Sequence, residues 1–280
     1  MMHLWYAAVG SLPFEWTQYT FMKTALLAVI LLTPLFALLG CLIVNKQMAF
    51  FSDAVGHSAL TGIAIGALLG LAEPAWAMVA FAVVLAVVFT VARRYAVASA
   101  DTVVGLVMAF AVALGVVILS RGGGFASYSR YLIGDLLSVT AADCAWIAAL
   151  AATVGVLWVV AFNTFFLVSV NSSLARTRGI PVWPAEAAFA AIVAVVVTVS
   201  VQWVGLLIIN SLIVLPAATA RNVARSMRSY VLVACAVSLC SGVAGLIASY
   251  YLATATGATI VLVSMCLFVL SLAGVRRAHA

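Results

Sequence analysis

The sequence predicts an all-α, polytopic membrane protein. Hydrophobic residues make up 67% of its 280 positions and charged residues 7%, whereas a soluble domain carries about a quarter charged residues. Apolar runs of about twenty residues recur along the whole length, and each can cross a hydrocarbon core of about 30 Å as a helix. The basic residues are also divided unevenly among the loops between those runs.

The opening MMHLWYAAVGSLPFEWTQYT has no Lys or Arg, so it lacks the basic start of a secretory signal. Its Trp5, Tyr6, Trp16 and Tyr19 are expected as interfacial anchors. Breaks at charged, Gly or Pro residues then define about nine helices, within a range of eight to ten. They fall near 22–44, 54–72, 75–92, 102–119, 142–165, 185–201, 204–220, 231–252 and 257–275. Residues 120–140 leave room for a re-entrant or amphipathic segment, and RGGGF at 121–125 is expected as a flexible loop. No compositional break marks a second domain, so residues 1–280 are read as one transmembrane domain.

Placing the Lys46 loop on the cytoplasmic side gathers Arg93, Arg94, Arg176, Arg178, Arg221, Arg225, Arg228, Arg276 and Arg277 there as well. Only Lys23, Arg121 and Arg130 are left outside. The N-terminus is then external and the C-terminus cytoplasmic. The net charge of +6 follows from this topology and gives no support to a nucleic-acid partner. The five cysteines form no CxxC pair and read as small apolar core residues.

One predicted span opens with an acid and an imidazole. In FFSDAVGHSALTGIAIGALLG, Asp53 and His57 stand four apart and share a helix face, with Thr61 a further turn along. Asp53 stands seven residues past Lys46, roughly 10 Å along a helix at 1.5 Å per residue, which places the pair inside the membrane. A carboxylate inside a membrane is costly and usually faces a partner or a cavity. Beside this row runs Ala54, Ser58, Gly62, Gly66 and Gly70, a small-residue ridge suited to close helix packing. Two readings are open. Asp53 caps the helix and His57 is a core histidine, or the two are half of a ligand set for zinc, manganese or iron(II) that a symmetric dimer completes. Asn210 and Ser211 also lie inside a span that contains Pro216, and Asn210 is a candidate for lining a pathway or bonding a neighbouring helix. Asp135 and Asp143 are expected near the outer surface, Glu73 in a short turn, and Glu186 near a helix N-terminus where the dipole favours it. His3 and His279 are terminal and have no expected role.

FSDAVGHSALTGIAIG resembles the signature of the membrane permeases of ATP-binding-cassette importers for zinc, manganese or iron. YLIGDLLSVTAAD (131–143), SLARTRGIPV (173–182) and VGLLIINSLIVLPAATARNVAR (204–225) match that family in the same order. The resemblance implies a multi-pass permease of the inner (plasma) membrane. It also implies a homodimer with two cytoplasmic ATPase subunits and an extracytoplasmic metal-binding protein. The family's metal-pathway Asp and His fall on Asp53 and His57. Its ATPase-coupling loop falls on 171–180, including Leu174, Ala175, Arg176 and Gly179. That loop commonly carries an acidic residue just before Leu-Ala, where this chain has Asn171, Ser172 and Ser173. The GDLL form at 134–137 is closer to zinc-importing members. The cargo is thus a divalent transition metal, zinc favoured, with no permanently bound cofactor and membrane lipid all around. No GxxxxGK[ST] phosphate loop occurs, so ATP hydrolysis is assigned to a separate chain and this one is not read as an enzyme. The rival readings are a sister permease for siderophores or vitamins and a gradient-driven secondary transporter. The latter predicts inverted repeats and further intramembrane acids, neither of which is evident.

Overall fold

The computed structural model describes residues 2–11, 13–71, 73–122 and 135–278. Residues 123–125 of the glycine cluster, Arg130, the YLIG of 131–134 and His279 lie outside the described residues. The elements are α1 (Met2–Gly10), a 3-10 turn (Glu15–Gln18), α2 (Thr20–Asn45), α3 (Phe51–Leu68), α4 (Pro74–Tyr95) and α5 (Ala100–Gly122). After a second 3-10 turn (Leu136–Ser138) come α6 (Ala141–Val170), α7 (Ser172–Thr177), α8 (Val182–Val204), α9 (Leu206–Val223), α10 (Met227–Leu252) and α11 (Thr256–Ala278). The described residues contain no strand.

Each of the nine expected spans overlaps one of these helices. Seven (α2, α4, α5, α6, α8, α10 and α11) are long and apolar enough to cross a membrane. The other two are displaced along the sequence as a whole, one towards each end. The segment read as 54–72 is helical from Phe51 to Leu68 and ends where Gly70 takes φ +66°, a conformation glycine adopts without strain. The segment read as 204–220 is shifted to Leu206–Val223, because Gly205 breaks the chain from α8 at φ +83°.

The helices gather into two compact units. One comprises Met1–Cys41, Asp135–Gly155 and Ser211–Ala280, the other Leu42–Gly134 and Val156–Asn210. In the first, α10 packs on α11, where Gly245 lets the backbone of Ile260 approach. Ser238 Oγ donates to the Thr33 carbonyl, 2.8 Å, beside Pro34 in the interior of α2. The expected interfacial anchors are partly used within the chain. Trp5 Nε1 donates to the Lys23 carbonyl at 2.8 Å, and Trp16 is buried, while Tyr19 stays exposed.

In the second unit α3 lies among α4, α5 and α8. The small-residue ridge is occupied inside the chain. A Cβ on Gly62 would meet the backbone of Met78, and one on Gly66 would meet Ala77 and Pro74. The ridge therefore holds α3 against α4 of the same chain. Thr61 also leaves the expected polar row. It is buried and donates to the Ala111 carbonyl of α5 at 2.6 Å, where Gly115 makes room for it. The Phe51 and Phe89 rings meet at 4.8 Å between centroids, tilted by 35°, and fix the start of α3 on α4.

Candidate functional site

Asp53 sits in the first turn of α3. The residue at the cap position is Phe50, and it makes no side-chain cap bond, so Asp53 is not the helix cap. Nor does one helix join it to Lys46. The chain leaves α2 at Asn45 and turns through Gln47 at φ +54°, so the depth estimate based on a continuous helix does not apply.

The Asp53 carboxylate instead has two side-chain neighbours. His57 Nε2 lies 3.5 Å from Oδ1, with the two side chains 38% and 32% exposed. Asn210 Nδ2, from α9, donates to the same oxygen. The Asn210 side-chain amide oxygen is buried and has no hydrogen-bond partner among the described residues. Two glycines make this meeting possible. Gly56, between Asp53 and His57 in sequence, has no side chain where Leu206 of α9 presses against α3. Gly205 starts α9 afresh, five residues before Asn210. The structure thus joins Asp53 and His57 as their spacing foretold, and adds Asn210 to them. No group of three or more His, Cys, Asp or Glu capable of holding a metal exists among the described residues. A metal here would find one carboxylate and one imidazole from this chain, since the Asn210 side chain turns its N–H towards Asp53 and its amide oxygen is buried.

Residues 171–180 form α7 and its caps. The Asn171 side chain accepts from the Leu174 amide at 2.9 Å, so the residue that replaces the expected acid works as an N-cap. Gly179 at φ +75° ends the helix, with its amide and that of Ile180 bonded back to Arg176 and Ala175. Leu174 and Arg176 are exposed and Ala175 is completely buried.

An ion pair invisible to sequence spacing lies nearby. Lys46 Nζ reaches Glu186 Oε1 at 3.5 Å across 140 positions and sits 5.5 Å above the Phe189 ring. Burial pushes the Lys46 ammonium below the usual lysine range; Glu186 opposes that shift and Arg93 adds to it. Glu186 therefore has a definite partner, beyond the helix-dipole role expected of it. Thr140 caps α6 by accepting from the Asp143 amide at 3.2 Å, and the Asp143 carboxylate accepts in return from the amide and hydroxyl of Thr140; Asp135 accepts from the Leu137 amide at 3.0 Å.

Membrane-length apolar helices with an ionisable pair half-exposed on a shorter one define a polytopic integral membrane protein with a polar station in its helical body. The chain belongs to the ABC 3 transport family, whose sequence model matches residues 18–275. The high-affinity zinc uptake system membrane protein ZnuB of Haemophilus influenzae is 35% identical over 254 residues, covering 89% of this chain and 95% of that protein. The manganese import system permease protein ScaB of Streptococcus gordonii is 27% identical over 258 residues, 91% of each. Among solved structures, PsaBC from Streptococcus pneumoniae in complex with Fab has the same fold. Its TM-score is 0.77 at 24% identity, over 97% of this chain and 95% of that one.

Proposed function

We propose that this chain is the membrane-spanning permease of an ATP-driven importer for a divalent transition metal, with zinc the favoured cargo. The observation that carries the reading is the half-exposed Asp53–His57 pair whose carboxylate is held by Asn210. Asp53 supplies an anionic oxygen and His57 a neutral imidazole, donors that suit zinc and also serve manganese. Asn210 holds the carboxylate by its N–H, so that the remaining lone pairs of Asp53 stay aimed at the cargo. Two ligands bind an ion weakly. A homodimer supplies the same pair twice, and parting the two copies halves the ligand number, which lets the ion go.

The working assembly is a dimer with two cytoplasmic ATPase subunits and an extracytoplasmic metal-binding protein. Nine helices cross the inner membrane, with the N-terminus outside and the C-terminus in the cytoplasm. One cleft of the second unit is shared by Arg93, Arg94, Arg176 and Glu186, and Glu186 holds Lys46. This supports putting these cations and α7 on one side. There α7 docks on the ATPase through the exposed Leu174, with Ala175 as its buried seat, Arg176 turned to the cleft beside it and Gly179 as its stop.

The test is metal uptake by the reconstituted complex. Asp53→Asn and His57→Ala each abolish uptake while expression and assembly with the ATPase stay normal. Uptake at the wild-type rate by both variants overturns the proposal.

A further inference from the structure

The cytoplasmic end of the second unit holds an open cleft of about 410 Å³ bounded by Thr90, Arg93, Arg94, Arg176, Trp183 and Glu186. Its charge is unbalanced. The one carboxylate, Glu186, is held by Lys46, and no Asp or Glu among the described residues lies within 4 Å of Arg93, Arg94 or Arg176. Three guanidiniums from the end of α4 and from α7 thus line one concavity whose single carboxylate is already paired, and Arg93 spends one N–H on Met48 Sδ at 3.1 Å. A planar guanidinium suits a phosphate oxygen pair better than a point cation does.

The surroundings of the cleft are those of a lipid surface. Val84, Val87 and Val91 are exposed on α4, and with Arg94 they follow at spacings of three, four and three, one stripe of the helix. This apolar stripe leads straight to the rim of the cleft. Tyr95 is exposed with the Arg94 guanidinium 5.8 Å above its ring, and Trp183 of α8 is exposed and lines the cleft. Aromatic rings of this kind gather where hydrocarbon meets headgroups. Basic pockets at the cytoplasmic ends of membrane helices bind anionic headgroups.

We propose that this cleft binds the phosphodiester headgroup of an anionic phospholipid, with its acyl chains along the exposed valines of α4. The proposal rests on the orientation given above. Because Arg176 lies on α7, the bound lipid also braces the segment assigned to the ATPase.

The test uses the full chain purified from vesicles of phosphatidylcholine with a minor share of phosphatidylglycerol, with retained lipid counted by native mass spectrometry. The wild type retains phosphatidylglycerol in preference to phosphatidylcholine. Retention falls about fivefold per arginine removed, on the order of a hundredfold in R93Q/R94Q/R176Q. The R93K/R94K/R176K variant keeps most of it, which separates loss of charge from loss of fold. R221Q/R225Q, from the other unit, retains lipid as the wild type does. Wild-type retention by R93Q/R94Q/R176Q overturns the proposal, as does equal loss in R221Q/R225Q. Loss of the ATPase subunit from R93Q/R94Q/R176Q with lipid retention unchanged overturns it in favour of a protein partner. Labelling of a Leu174→Cys variant by an impermeant maleimide reports the orientation separately. Reaction from outside the cell overturns the topology, while the retention result still decides whether the cleft binds lipid.

Discussion

Removing either partner of the Lys46–Glu186 pair should have unequal effects, and the inequality follows from burial. The Lys46 side chain is 5% exposed and that of Glu186 is 27% exposed. Glu186→Gln leaves an almost fully buried ammonium beside Arg93 with no carboxylate in reach. Breaking a buried pair costs about 3–5 kcal/mol, and partial solvation of Glu186 brings the expectation to about 3 kcal/mol. Lys46→Met keeps the stem that packs near Phe189 and removes the buried charge itself. It leaves Glu186 in a cleft still lined by Arg93, Arg94 and Arg176, so the cost is about 1 kcal/mol. The double variant has neither the orphaned ammonium nor the orphaned carboxylate, and its stability should match that of Lys46→Met. Denaturant unfolding of the purified chain, followed by tryptophan fluorescence, gives the order: wild type, then Lys46→Met together with the double variant, then Glu186→Gln. If Glu186→Gln is as stable as Lys46→Met, the buried cation is not what Glu186 holds in place, and the argument fails.

Two further outcomes concern transport. Leu174→Asp, on the exposed side of α7, should lower ATP-dependent uptake in the reconstituted complex with unchanged yield. Ala175→Asp should lower the yield itself, since Ala175 is wholly buried; equal yields would show that α7 is loosely seated. Asn210→Leu deprives the Asp53 carboxylate of its donor, a bond to a charged group worth about 1.5–3 kcal/mol. The initial uptake rate at low metal concentration should drop by about tenfold or more, and an unchanged rate would reduce Asn210 to a packing residue.

Much of the fold was legible because lipid leaves few choices: an apolar run of twenty residues must close its own backbone bonds as a helix. The seven spans long and apolar enough to cross a membrane were placed to within about five residues at either end for that reason. The two displaced spans are those whose ends depend on Gly70 and Gly205, where one backbone torsion overrides the hydropathy profile. The Asp53–His57 pairing was legible because four residues are one helical turn. Asn210 stood out as a polar residue at depth, but nothing local names a partner 157 positions away. Lys46 and Glu186 are hidden in the same way. The small-residue ridge was correctly read as a packing surface, but a ridge carries no mark of whether its partner belongs to the same chain. Here α4 occupies it.

Gly205 has a consequence for how such a protein can vary. At φ 83° and ψ 156° it occupies a region essentially closed to residues with a side chain, and it is buried. The direction in which α9 departs, and so the reach of Asn210 to Asp53, hangs on a residue that has no chemistry of its own. Substitution at 205 can therefore imitate the loss of a ligand while every donor atom is still encoded. Among natural variants, a silent-looking change at this joint and a change at Asn210 itself should share one phenotype, and only a structure would tell a misaimed side chain from a missing one.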